Sequence, residues 1–123
     1  MRQNGRPMKY MLLIYGDETL DAQASPAERD TVLQAYFAFA AELRKRGMIL
    51  GGDELGPTWT DTTLRARGGN LQVTDGPFAE TKEQLGGYFL LECASLDEAI
   101  EVAKLCPAVK TGSVELRPLV ENE

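Results

Sequence analysis

The order of apolar segments predicts an α+β fold, an antiparallel sheet with two helices on one face. Three observations carry it. Met8–Tyr15 and Tyr88–Cys93 are short, nearly continuous apolar runs, the pattern of strands covered on both faces. Two other segments open with a serine followed three residues later by glutamate, at Ser25–Glu28 and Ser95–Glu98, and continue with apolar residues at helical spacing. Between them, Gly68-Gly69-Asn70 separates two strand-like stretches and marks a hairpin. The order is strand, helix, strand, hairpin, strand, helix, strand, a ferredoxin-like arrangement.

The elements follow in turn. Met8–Tyr15 ends at Gly16-Asp17-Glu18, and a polar loop is expected up to Ala24. Ser25 caps the first helix and Pro26 fits its first position. Val32, Ala35, Tyr36, Phe39 and Leu43 form its expected core stripe, with Leu33 and Phe37 to one side. Glu42 and Arg46 are spaced to pair, and Gly47 stops the helix. Met48–Leu55 is the second strand, weakened or bulged at Gly51-Gly52. Trp59, the one tryptophan, stands in a threonine-rich loop and reads as a lid over the core rather than a stacking platform.

Thr62–Arg67 and Leu71–Thr74 form the hairpin. Leu64 and Ala66 share a face with Leu71 and Val73; Arg65 and Arg67 point the other way, as a solvated edge or toward an anionic ligand. In the second helix Leu96, Ala99, Ile100 and Ala103 form the expected inner stripe, with Val102 and Leu105 beside it and Pro107 as the stop. Ser113–Leu119 alternates as an edge strand, Val114 and Leu116 inward, Glu115 and Arg117 outward. Residues 1–7 and 120–123 are expected to fray.

At 123 residues the chain is a single domain, long enough to bury roughly two thirds of its unfolded surface. Its formal net charge of −6 argues against nucleic acid and anionic membranes as partners. No segment is apolar for long enough to span a bilayer. The two cysteines, Cys93 and Cys106, are too few for a disulfide framework and read as reduced and buried. These features together predict a cytoplasmic location. Histidine is absent, which removes the commonest general base and metal ligand. No metal site and no cofactor are expected, and neither Gly68-Gly69 nor Gly86-Gly87 has the context of a nucleotide-binding loop.

Two helices cover one side of a sheet. Tyr10, Leu12 and Ile14 alternate with Met11, Leu13 and Tyr15, so the first strand offers bulky apolar groups to both sides. An uncovered second side would be a larger patch than a monomer usually carries, and burying it is worth several kcal/mol at roughly 25 cal/mol per Å². The expected cover is a second copy related by a two-fold axis; the single-chain alternative folds the hairpin back over the sheet.

The densest mix of turn residues and ionisable groups is Asp75-Gly76-Pro77-Phe78-Ala79-Glu80-Thr81-Lys82-Glu83-Gln84-Leu85-Gly86-Gly87-Tyr88-Phe89. Asp before Gly-Pro is turn chemistry, Ala79–Gln84 suffices for one short helical turn, and Gly86-Gly87 ends it. Asp75-Gly76-Pro77-Phe78 with Glu80-Thr81-Lys82-Glu83 and Gly86-Gly87-Tyr88 resembles the signature of the DGPF branch of the YCII-related proteins. The resemblance runs from about Lys9 to Pro118. It implies membership of the dimeric α+β barrel superfamily, whose sheets pack face to face in a homodimer. The broader group is regarded as enzyme-like because of a His–Asp pair, which cannot exist here. The DGPF branch is also associated with sigma factors of the extracytoplasmic-function type.

A two-sheet barrel leaves a cleft suited to a small ligand. Asp75 is the candidate base, a role that asks for burial. Lys82 is a candidate partner for a substrate carboxylate or enolate, and Tyr88 for relaying a proton. Phe78, Glu80, Thr81 and Arg65 are candidate ligand contacts. Asp53 and Glu54, at the end of the second strand, are placed at the same mouth. The expectation is a small-molecule-binding, cofactor-free enzyme of proton-transfer type. The alternatives are a non-catalytic regulatory module and a purely structural role in which the signature shapes the turn and the dimer contact.

Overall fold

The computed structural model describes residues 7–121. The expected fraying of residues 1–6 and 122–123 lies outside the described residues. Four strands, β1 (Met8–Gly16), β2 (Ile49–Glu54), β5 (Gln84–Cys93) and β6 (Ser113–Pro118), form one sheet in the order β2-β5-β1-β6. Its neighbouring strands are all antiparallel. The strands β3 (Thr62–Arg67) and β4 (Asn70–Asp75) pair only with each other. The helices are α1 (Glu18–Asp21), α2 (Pro26–Lys45) and α3 (Leu96–Ala103). The arrangement is the expected ferredoxin-like α+β fold, with α1 added where a polar loop was expected. Asp17 starts α1 by accepting hydrogen bonds from the Thr19 amide and hydroxyl.

The core lies between the sheet and the two longer helices. Tyr10 and Leu12 of β1, Leu91 and Cys93 of β5, Phe39 and Leu43 of α2 and Val102 of α3 are buried together. Phe39 meets Phe89 edge to face at 5.4 Å. Both cysteines are free and buried, as expected. On β6, Val114 and Leu116 pack against this core, as the alternation predicts.

Both helix starts form where the sequence places them. Ser25 accepts from the Glu28 amide, while the Glu28 carboxylate accepts from the Ser25 amide. At α3 the serine half is present, but the Glu98 carboxylate takes the Ala94 amide instead of the Ser95 amide. Arg46 Nε meets Glu42 Oε2 at 2.6 Å.

The buried stripes are shorter than expected. In α2, Val32 and Ala35 are exposed, and the helix meets the core from Tyr36 onward, with Phe39 and Leu43 buried. In α3 the buried face turns to Ala99, Val102 and Ala103, leaving Leu96 and Ile100 exposed. Trp59 is 62% exposed and does not cap the core. Its 3-10 turn, Thr58–Thr60, is tied instead to Glu18, whose carboxylate accepts from the Thr58 amide at 2.9 Å and from the Thr58 hydroxyl. Among the described residues, no helix is long and apolar enough to cross a membrane.

Candidate functional site

Strand alternation sorts the sheet into two faces. Tyr10, Leu12 and Ile14 of β1 face the helices; Met11, Leu13 and Tyr15 face the other way. Among the described residues, that second face has no helix over it. Met11, Leu13, Tyr15, Tyr88 and Leu90 are each only half-buried there. The pairing registers lay Asp53, Tyr88, Leu13 and Glu115 in one row across β2, β5, β1 and β6. The row spans three strand spacings, about 14 Å. Beside it stand Leu90 and Met11, with Arg117 next to Met11 on β6.

Each end of the row carries a tyrosine bound to a carboxylate. The Tyr88 hydroxyl donates to Asp53 Oδ2 at 3.1 Å. The Tyr15 hydroxyl donates to Glu115 Oε1, also at 3.1 Å. Both phenols are held above their usual pKa. For Tyr88 the cause is the hydrogen bond to Asp53, followed by that carboxylate's charge. For Tyr15 it is burial first, then the bond to Glu115. Both tyrosines are therefore neutral proton donors at physiological pH. Arg117 lies 3.7 Å from Glu115 and offsets part of its charge. Asp53 has no cation of this kind among the described residues.

Glycine makes the Asp53–Tyr88 contact possible. β2 bulges between Ile49 and Gly51, then runs close against β5. A Cβ on Gly52 would sit 2.7 Å from the Tyr88 carbonyl oxygen and 2.8 Å from Phe89 Cδ1, so a side chain there would force the strands apart.

The signature run joins the hairpin to this sheet. Gly76 has φ of +100°, a conformation that side chains rarely adopt, which explains glycine at this position. Three hydrogen bonds tie the turn to β3 and the residue before it. The Gly76 amide donates to the Asp61 carbonyl at 2.7 Å, Thr63 Oγ1 to the Gly76 carbonyl at 2.7 Å, and Arg65 NH2 to the Phe78 carbonyl at 2.7 Å. The short helical turn expected over Ala79–Gln84 does not form. Thr81 Oγ1 instead donates to the Glu83 carbonyl, and Gln84 Nε2 to the Thr81 carbonyl. Gly86 and Gly87, expected to end a turn, lie inside β5. The Gln84 side-chain oxygen accepts from the Glu18 amide at 3.0 Å, and Glu83 Oε1 accepts from Ser113 Oγ at 2.7 Å. The run is thereby fastened to α1 and to β6.

The expected site residues fall into three places. Tyr88 is on the open face with Asp53. Asp75 is exposed at the end of β4, opposite Thr62, and its carboxylate makes no hydrogen bond among the described residues. Burial of Asp75 is therefore not provided by the described residues. Arg65 braces the turn, and Thr81 braces the approach to β5. Glu80 and Lys82 are exposed, and Phe78 is 73% exposed. Asp17 is held below the usual carboxylate range by hydrogen bonds from Thr19, with the Lys82 charge a minor addition. No hydrogen bond or ion pair joins Asp75, Lys82 and Tyr88 among the described residues. Tyr15 and Glu115 were not among the expected site residues; their signal was the second apolar set of β1 and the outward position of Glu115. Among the described residues, no three His, Cys, Asp or Glu side chains converge as a metal site requires.

A family model for the YCII-related domain matches residues 8–123. A protein described as uncharacterized, from Rhizobium meliloti (strain 1021), is 41% identical over 114 residues, covering 91% of this chain and 92% of that protein. The chain belongs to the YCII-related family.

Proposed function

We propose that the protein is a homodimeric, small-molecule-binding member of this family that moves protons without a cofactor, on the uncovered face of its sheet. One observation carries the reading. The Asp53–Tyr88 and Tyr15–Glu115 pairs stand on a half-apolar surface, where a ligand would displace water and strengthen every polar contact. Asp75 is the base that takes a proton from the ligand. Tyr88 is the neutral donor: a ligand oxygen takes the place of Asp53 as the acceptor of its single phenolic proton, and that proton passes to the ligand as Asp75 removes another. The tautomerisation leaves Asp75 protonated and Tyr88 as a phenolate, and proton exchange with water returns both to their starting states, so no co-reactant is needed. Lys82, Glu80, Thr81, Phe78 and Arg65 would shape the approach from the signature run. Free, buried thiols at Cys93 and Cys106 favour a reducing compartment such as the cytoplasm.

The test is a ligand and substrate screen on wild type, Tyr88→Phe and Asp75→Asn. The expected result is binding by wild type, at least tenfold loss of turnover in both variants, and unchanged melting temperatures. Unaltered turnover in both would remove these residues from the chemistry. A lower melting temperature for Asp75→Asn with no ligand effect would assign the motif a structural role. A sigma-factor module is supported by the resemblance to the DGPF branch alone. Specific capture of an extracytoplasmic-function sigma factor by the pure protein, with no ligand found, would put it in place of the enzymatic reading.

A further inference from the structure

The polar end of the sheet is built round a slot. Tyr15 and Tyr88 stand on the two central strands, β1 and β5, on the same face as Leu13. Their phenols lean apart. Tyr88 reaches out to Asp53 on edge strand β2, and Tyr15 reaches out to Glu115 on edge strand β6. Each hydrogen bond draws a ring away from the middle of the sheet, which leaves a gap between the two rings.

A bulge deepens the gap. Ile14 pairs with Gly87 and Tyr15 with Leu85, so the register skips Gly86. Gly86 lies two residues before Tyr88 and shares its face of the strand. It is exposed, and beyond its chain neighbours a Cβ there would meet only the Ile14 carbonyl oxygen, at 4.0 Å. The Leu55 amide donates to the Gly86 carbonyl at 2.9 Å and fixes the bulge. The slot therefore has bare backbone and Leu13 for its floor and a phenol ring on either side.

Charge decides what fits. Asp53 and Glu115 stand behind the rings. Glu83 joins them, its Oε1 accepting from Ser113 Oγ on β6, opposite Tyr15. Arg117 is 3.7 Å from Glu115, and the Lys82 charge is felt at Asp17. Three carboxylates thus outweigh the one cation paired with them, so an anion entering here is repelled. A cation is attracted by the carboxylates and by the faces of both rings.

We propose that the slot takes the ammonium group of an organic amine, held between the Tyr15 and Tyr88 rings over Gly86, with its apolar body along Leu13. The inference rests on the open face being the ligand site and names a substrate class for it, an aminoketone. When the ketone oxygen takes the place of Asp53 at the Tyr88 hydroxyl, the freed carboxylate pairs with the ammonium. The ammonium withdraws electrons from the carbon beside the ketone, which eases loss of the proton that Asp75 takes.

The test uses two probes of one length, butylammonium and butanoate, followed by amide and tyrosine-ring NMR shifts in wild type, Gly86→Val and Asp53→Asn. Gly86 has no positive φ, so a side chain there brings no backbone strain. In wild type, butylammonium should shift the Gly86, Tyr15 and Tyr88 signals saturably, and butanoate should not. Gly86→Val should weaken the amine at least tenfold by filling the slot, and Asp53→Asn at least threefold by removing charge. Butanoate bound in the amine's place and lost in Gly86→Val would overturn the amine while keeping the open face as the ligand site. Butylammonium held equally by wild type and Gly86→Val would overturn the slot. No shift from either probe would overturn the whole inference, while turnover by Tyr88→Phe judges the open-face reading separately. If Gly86→Val disturbs the β1–β5 pairing, Asp53→Asn decides, and amine binding unchanged in it would overturn the proposal.

Discussion

Tyr88 and Asp53 face each other directly across β5 and β2, and the phenol donates to the carboxylate at 3.1 Å. The bond sets the direction of any chemistry there. Tyr88 holds a proton that it can give, and Asp53 holds the ring in place. A ligand oxygen that takes the place of Asp53 would receive that proton.

Replacing Asp53 by Asn should lower the Tyr88 pKa toward its ordinary value. The phenol is raised first by its hydrogen bond to the Asp53 carboxylate and then by that carboxylate's charge, and the amide removes the charge. Tyrosine ring-carbon NMR during a pH titration measures it. Tyr15 should keep its raised value, since its partner is Glu115. A Tyr88 titration unmoved by the substitution would break the pairing.

Alkaline pH should weaken the fold through its buried thiols. Burial pushes the Cys93 thiol up to about 11, from 9.0 for a free thiol. Burial also raises Cys106, and it raises Tyr36 beyond the usual tyrosine range. Between the unfolded and folded pKa values the unfolded chain releases protons that the folded chain retains, so stability falls as pH rises. The contribution of Cys93 is intact below pH 9.0 and lost through about 11. Denaturant unfolding at stepped pH should show this decline, and Cys93→Ala should flatten it. An equal slope in the variant would place the effect elsewhere.

The turn of the signature run should be sensitive to a single methyl group. Gly76→Ala would put a side chain at φ of +100°, a strain of about 1–3 kcal/mol. The strain falls where the hairpin meets its three anchoring hydrogen bonds, so Arg65 and Phe78 should part. Exchange of the β3–β4 amides should speed up more than that of β1 and β5. Uniform acceleration over both sheets would show that the hairpin unfolds with the rest.

Local chemistry made much of this readable. The Ser25–Glu28 box, the Gly68-Gly69 turn and the double-sided run of Met8–Tyr15 each carry their cause within a few residues. Pairings across the sheet do not. Asp53 and Tyr88 are 35 positions apart, and their contact depends on a bulge in β2 that Gly51 and Gly52 suggest without placing. Asp53 was legible as a residue near the mouth, but its partner was not. The stripes of α2 and α3 erred for a related reason. Helical spacing tells which residues share a face, but the tertiary contacts decide how much of that face is covered, and Val32 is left exposed. Trp59 was misplaced because its turn is tied to a carboxylate in α1 that lies 40 positions from Thr58.

That carboxylate gives a last prediction. Glu18 accepts from both the amide and the hydroxyl of Thr58, and its own amide donates to Gln84, so one residue joins α1, the Trp59 turn and the tail of the signature run. Glu18→Ala keeps the amide bond to Gln84 and removes the two that Thr58 makes. The Thr58 amide is then left to water, at a cost of about 1 kcal/mol in this partly covered setting. The turn should loosen while the strands stay paired. Trp59 is the one tryptophan, so its fluorescence anisotropy reports this turn alone. Anisotropy should drop in Glu18→Ala and stay near wild type in Glu18→Gln, whose side-chain oxygen still accepts the Thr58 amide. A change in the emission maximum is not expected, because Trp59 is already largely in water. Equal anisotropy in all three proteins would show that Pro57 and the internal bonds of the turn, from the Thr60 amide and hydroxyl to the Pro57 carbonyl, hold it without Glu18.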